Sequence, residues 1–322
     1  MRVLFSCVGE NRADWFVKME NLVLSLRTFG GSLSRAPVVV HAVGGADPVL
    51  VATMARLDAE VRVVDPVDRR RATSNKLRMF ELAGAPGGPD FDVLVAMDCD
   101  MIVKGDIGPY VSGASLQAVP AGRDLLSDET WRALYEALDL PLPARNCVTV
   151  VSGQQTYPYY NSGVLFVPRE VCEPLRSSWL THLQWMLGPG LAVLGMERLR
   201  KDQIPLSAAL ASADLRVEPL PVNLNLSVTA ARFAAPYRSQ WGPPFLLHYH
   251  RLIDERGFLL ASPAGRVNPE LDDFNRARAR HLGLAYEGLA PVPLSRRARA
   301  LLKDQPGWRW ARTAVRRAGV RA

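Results

Sequence analysis

The chain is poor in cysteine. None of its four, Cys7, Cys99, Cys147 and Cys172, stands in a CxxC pair or a short even framework. Reduced packing residues are therefore expected, not a disulfide scaffold or a cysteine-ligated zinc site. No stretch approaches the roughly 18–20 consecutive apolar residues of a membrane-spanning helix. The opening MRVLFSCVGENRADWF has neither the basic region nor the long apolar run of a signal peptide, which makes the cytoplasm the expected compartment. A glycine fingerprint is missing too: VLFSCVGENRADW offers one glycine after the first apolar run, where a dinucleotide-dependent oxidoreductase needs GxGxxG.

What is present is an ordinary globular composition, 48% hydrophobic and 22% charged over 322 residues. That is long enough for one large core or two small ones. The net charge of +7 is unevenly placed. Residues 296–322 hold nine Lys/Arg against the single Asp304, leaving a body of 30 basic and 31 acidic residues. A nearly neutral body is not a nucleic-acid-binding surface, so no nucleic-acid partner is expected.

Residues 3–8 (VLFSCV), 38–43 (VVVHAV), 61–65 (VRVVD) and 93–97 (VLVAM) are short β-branched runs bounded by turn residues, the pattern of buried strands. Between them Trp15–Phe29, Pro48–Ala59 and Asn75–Leu82 carry apolar residues at three- and four-residue spacing and are predicted helices. The alternation predicts an α/β fold, a Rossmann-like, mostly parallel sheet with helices on both faces. Further strands are predicted at 116–120, 163–167, 215–220 and 245–250, and helices at 128–138, 170–186, 202–211 and 269–281. The turn-rich, aromatic stretch 141–160 is predicted as a loop, an acceptor-side lid.

In FDVLVAMDCDMIV a buried strand runs straight into two aspartates, Asp98 and Asp100, with a second apolar run behind them. Ligands of open parallel sheets gather beyond the carboxyl ends of the strands. Two carboxylates there suit a magnesium or manganese ion bridging a diphosphate. Solvated turns and helix caps also produce DxD triplets, but rarely with apolar runs on both sides, and a buried carboxylate pair requires a cation between its members. FLLHYHRLID is a second apolar run ending in metal-binding residue types. His248 or His250 can supply an imidazole, and strand alternation would set both on one face with Tyr249 opposite. YYNSGVLFVP places Asn161, Ser162 and Gly163 before an apolar strand, where Gly163 admits close backbone approach and Asn161 serves either a ligand or a turn. KDQIPLSAAL opens a helix with Asp202-Gln203, and Asp202 is either a ligand contact or a cap.

Taken in order, LVAMDCDMIV, YYNSGVLFV, DQIPLSAAL, LPVNLNLS and FLLHYH resemble the nucleotide-diphospho-sugar transferases of the GT-A fold. The closest pattern is that of the retaining enzymes of glycosyltransferase family 8, the group of bacterial lipooligosaccharide galactosyltransferases and glycogenin. The resemblance covers about residues 1–255. It implies transfer of a sugar from a nucleotide diphosphate donor, a UDP-sugar, to a glycan, lipid-linked or small-molecule acceptor. It implies Mn2+ or Mg2+ on Asp98, Asp100 and His248, with Asp98 also close to the donor. It places Asp202 and Gln203 at the reacting sugar, with Asn161, Ser162 and Gly163 beside them. The loop Cys7–Asn11, including Gly9, would hold the nucleoside. Lys76 would contact the donor. The family's Gly and Lys-Pro-Trp after the histidine are absent from HYHRLID, so Arg251 and Lys76 are the substitute cations for the pyrophosphate, and His250 is a further donor-side contact.

A sugar-nucleotide pyrophosphorylase shares the general fold but needs a glycine- and basic-rich loop after the first strand, which is missing. A non-catalytic sugar-nucleotide-binding or membrane-surface scaffold protein is the alternative of a different class. The organisation expected is a transferase domain over 1–285, nucleotide-binding in 1–105 and acceptor-side in 106–285, followed by a basic tail over 286–322. If the tail is helical from Pro306, Trp308, Ala311, Val315 and Ala318 form one stripe among Arg309, Arg312, Arg316 and Arg317. That is an interfacial pattern with two readings, peripheral contact with the anionic inner face of a membrane, or a basic end that is solvated, disordered or packed as a helix on the body.

Overall fold

The computed structural model describes residues 1–292, apart from 70, 189, 191–201, 231 and 241. The predicted parallel half is present. β1 (Val3–Glu10), β2 (Val38–Val43), β3 (Glu60–Val64) and β4 (Val93–Asp98) lie side by side in the order β3-β2-β1-β4, all parallel. The helices between them are α1 (Ala13–Phe29) and α2 (Pro48–Arg56), whose start is capped by the Asp47 carboxylate accepting from Val49 N. The third predicted helix is a 3₁₀ segment, Ala72–Ala83.

Alternation along the strands explains the two cores. Val3, Phe5 and Cys7 of β1 and Val93, Val95 and Met97 of β4 face α1 and α2. Leu4 and Val8, with Leu94 and Ala96, face the 3₁₀ segment and two later helices. Both strand faces are covered, which is why these segments read as continuous apolar runs and not as an in/out alternation.

Beyond β4 the sheet becomes mixed. β5 (Met101–Val103) leaves it; β6 (Leu116–Pro120) and β9 (Tyr160–Pro168) return, with β9 antiparallel to both β4 and β6, and β10 (Val217–Pro219) closes the edge beside β6. Residues 1–105 and 106–285 thus contribute strands to one sheet. The stretch 141–160 is not wholly a loop: β7 (Cys147–Val148) and β8 (Gln155–Thr156) pair as a short hairpin, and Tyr160 already belongs to β9. β11 (Leu226–Ser227), β12 (Leu246–His248) and β5 form a separate three-stranded sheet. The predicted helices correspond to α3 (Asp128–Ala137), α4 (Arg169–Leu187), α5 (Gln203–Ser212) and α6 (Asn268–Leu282). Among the described residues no helix is long and apolar enough to cross a membrane. The stripe from Trp308 to Ala318 lies outside the described residues.

Candidate active site

Two strand ends create the site. Asp98 is the last residue of β4 and β5 begins at Met101, so Asp98-Cys99-Asp100 is the joint between the large and small sheets. The runs on either side are fully buried, which pins the joint in place. The two carboxylates remain 21% and 25% exposed.

β12 runs antiparallel to β5 with His248 opposite Met101, and Tyr249 N donates to Asp100 O at 3.1 Å. That register brings His248 Nε2 to 3.0 Å from Asp100 Oδ1 and 3.9 Å from Asp98 Oδ2. On the far side of the ring, Nδ1 lies 3.3 Å from Asn225 Oδ1. An amide oxygen only accepts, so Nδ1 carries the hydrogen and Nε2 is the nitrogen turned to the carboxylates.

The strand ends at His248, short of the predicted 250, so simple alternation is not what positions His250. Its φ of 54° lies in the left-handed region. This turn lays its ring against His248 with centroids 4.0 Å apart, and Ser227 Oγ is 3.0 Å from His250 Nε2. Tyr249 points into the core. Asp100, His248 and His250 each offer a ligand atom within 4.8 Å of the others.

Lys76 enters from the 3₁₀ segment. Its neighbour Asn75 anchors that segment, donating to Glu10 Oε1 and accepting from Val67 N, both at 2.7 Å. Lys76 Nζ is then 2.7 Å from Asp98 Oδ1, 2.7 Å from Asp202 Oδ2 and 3.1 Å from Ser162 Oγ. Ser162 also donates to Asp202. One ammonium touches both carboxylates, so Asp98 and Asp202 stand no farther apart than twice that contact. Asp202 precedes α5 but its side chain does not cap it, so the cap alternative fails. Its carboxylate is taken by Lys76 and Ser162, while its carbonyl accepts from Trp179 Nε1 at 3.1 Å.

The electrostatics follow from burial and pairing. Burial would raise Asp100, but His248 holds it at about 2. Burial would lower His248, but Asp100 raises it. Asp98 is raised, because burial and Asp100 outweigh Lys76. Burial would lower Lys76, but Asp202 and Asp98 raise it. Burial would raise Asp202, but Lys76 and Ser162 lower it.

The remaining predicted residues divide. Asn161 Oδ1 accepts from Gly163 N at 2.8 Å, which is the turn role weighed for it. A Cβ on Gly163 would lie 3.1 Å from Asp98 Oδ2 and 3.2 Å from His248 Cε1, so only glycine leaves that space open. Gln203 opens α5 and is half-buried. Arg251 is exposed in the turn after His250. The expected loop Cys7–Asn11 is a correction: β1 continues to Glu10, paired with Val43, so most of that stretch is strand. Cys7 lies in the core with its thiol pushed up to about 12 by burial. Gly9 packs on Met19 and Trp15, whereas Asn11 is exposed beside Gly45. Asn225, Ser227, Asn75 and Glu10 were not singled out from the sequence. The signal for the first two was there, since LPVNLNLS is one of the ordered segments.

The donor set fits a divalent ion. Carboxylate oxygens and imidazole nitrogens converge, the imidazoles are held from behind by Asn225 and Ser227, and the glycine keeps the cradle open. Lys76 alone does not balance Asp98, Asp100 and Asp202.

A family model described as Rhodobacterales glycosyltransferase domain matches residues 21–214. No curated protein sequence matches the chain. Among solved structures, the galactosyltransferase LgtC in complex with donor and acceptor sugar analogs is similar, with a TM-score of 0.53 and 15% identity, over 92% of this chain and 99% of that one. Mouse xyloside xylosyltransferase 1 in its apo form gives 0.47 at 14% identity, over 78% and 97%. The bifunctional enzyme WbbM, also apo, gives 0.47 at 14% identity, over 77% and 46%, so this chain spans less than half of WbbM. The LgtC likeness establishes the GT-A fold.

Proposed function

Because the chain belongs to the Rhodobacterales glycosyltransferase domain family, and is therefore a glycosyltransferase using a nucleotide donor, we propose that its reaction is a metal-dependent transfer from a UDP-sugar with retention. The acceptor is a glycan, a lipid-linked sugar or a small molecule. One observation carries this reading: the Asp98–Lys76–Asp202 chain, beside the Asp100–His248–His250 cluster, joins a cation-binding corner to a carboxylate suited to sugar hydroxyls.

A divalent cation bound there supplies Lewis-acid neutralisation of the departing nucleoside diphosphate. Asp98, Asp100 and His248 would hold it. Asp98 keeps Oδ1 on Lys76, and its Oδ2 faces His248. Lys76 fixes the separation between the cation corner and the sugar side. Asp202, held ionised by Lys76 and Ser162, positions sugar hydroxyls and stabilises positive charge developing at the sugar. Gln203, Asn161 and Ser162 line the same side. Asn11 is the nucleoside-side contact left at the end of β1, and Arg251 is the exposed cation next to the pyrophosphate side.

Hydrolysis of a panel of sugar nucleotides with Mn2+ or Mg2+, against a chelator control, tests the proposal. Turnover should require metal and fall by orders of magnitude in Asp98→Ala and Asp100→Ala with the fold intact. Near-normal activity in chelator would overturn metal dependence.

A further inference from the structure

We propose that His250 is a second imidazole ligand of the cation, making this a nitrogen-rich site that selects manganese, cobalt or zinc over magnesium. The inference rests on the metal-dependent reading above. Three observations carry it. The first is proximity: ligand atoms of Asp100, His248 and His250 lie within 4.8 Å of one another, a spacing that one ion can gather. The second is the backbone. Histidine is one of the few non-glycine types that enter the left-handed region, and here that conformation, φ 54°, sets the His250 ring 4.0 Å from His248. The third is orientation. His250 Nε2 is engaged by Ser227 Oγ at 3.0 Å, as His248 Nδ1 is by Asn225 Oδ1 at 3.3 Å. In both rings one nitrogen is held by a polar neighbour, which fixes how each ring is turned beside Asp100. Ser227 and Asn225 lie one residue apart on either side of Leu226, so one short segment orients both imidazoles.

The consequence is selectivity. Magnesium keeps oxygen ligands and several waters and gains little from imidazole. First-row transition ions gain with each nitrogen, and a corner with two imidazoles widens their lead.

The experiment uses the full chain without donor. Electron spin-echo modulation of bound Mn2+ counts directly coordinated imidazole nitrogens, and calorimetry gives Mn2+ and Mg2+ affinities. Two imidazoles are expected in the wild type and one in His250→Asn, a substitution chosen because asparagine tolerates left-handed backbone. The variant should lose on the order of 10- to 100-fold in Mn2+ affinity with Mg2+ almost unchanged. A single imidazole in the wild type, or unchanged Mn2+ affinity in folded His250→Asn, overturns the role of His250 and leaves metal dependence standing. Failure of the wild type to bind either ion overturns both. Because the wild-type count is itself decisive, a poorly folding variant does not protect the proposal.

Discussion

Replacing Lys76 by methionine is the sharpest perturbation of this site. The side chain is 10% exposed and touches Asp98 and Asp202, so methionine keeps the bulk and leaves two buried carboxylates facing each other. Breaking a buried ion pair in this way costs about 3–5 kcal/mol. Proton uptake sets a ceiling. Protonating one carboxyl whose unfolded pKa is near 3.9 costs about 4 kcal/mol at pH 7 and about 1.5 kcal/mol at pH 5. Asp98, already raised in the folded protein, is the group that accepts the proton. The variant's native state then binds a proton that its unfolded state lacks, so its deficit shrinks as pH falls. In chelator, Lys76→Met should lose up to about 4 kcal/mol at pH 7, roughly 6 °C in Tm for a chain of this length, and much less at pH 5. Lys76→Met combined with Asp98→Asn should recover most of the loss, a coupling that denaturant titration of the double-mutant cycle measures. A Tm within about 1 °C of wild type at pH 7, or a deficit independent of pH, would refute the ammonium's role as the shared counter-ion.

Other outcomes follow from separate parts of the chain. Gly163→Ala crowds Asp98 Oδ2 and His248 and should lower turnover on the order of tenfold or more with only a small loss of Tm, read from kcat beside a melting curve. His41, buried and bonded to Ser6, has its pKa lowered from 6.5 to about 4 by burial. The unfolded chain therefore takes up a proton first, and stability present above pH 6.5 should fall by on the order of 3 kcal/mol as pH drops to 4. Urea titrations at several pH values should show this slope in wild type and not in His41→Gln. Residues 296–322 carry a net eight positive charges, each worth on the order of 1 kcal/mol at an anionic surface. The full chain should co-sediment with anionic liposomes and release at high salt, whereas a chain ending at Pro293 should do neither; equal behaviour would refute membrane contact through the tail.

The β3-β2-β1-β4 half and the position of its carboxylates were legible in the sequence because burial on both faces imposes a local signature. VLFSCV, VVVHAV and VLVAM are continuous apolar runs, and the two aspartates break the last of them at the strand's end. The nearness of FLLHYH to MDCDMIV was implied by the family resemblance, which set both around one ion, whereas their antiparallel pairing was not. What tertiary structure alone decided is which charges meet. Lys76, Ser162 and Asp202 come from a 3₁₀ segment, β9 and the approach to α5, and no local pattern in any of them names the others. The hairpin within 141–160 and the extension of β1 through Glu10 were likewise settled by a partner strand supplying backbone hydrogen bonds. Periodicity records how deeply a side chain is buried. It does not record what it is buried against, and the antiparallel insertion of β9 beside β4 is what brings Ser162 to the ammonium that Asp98 and Asp202 share.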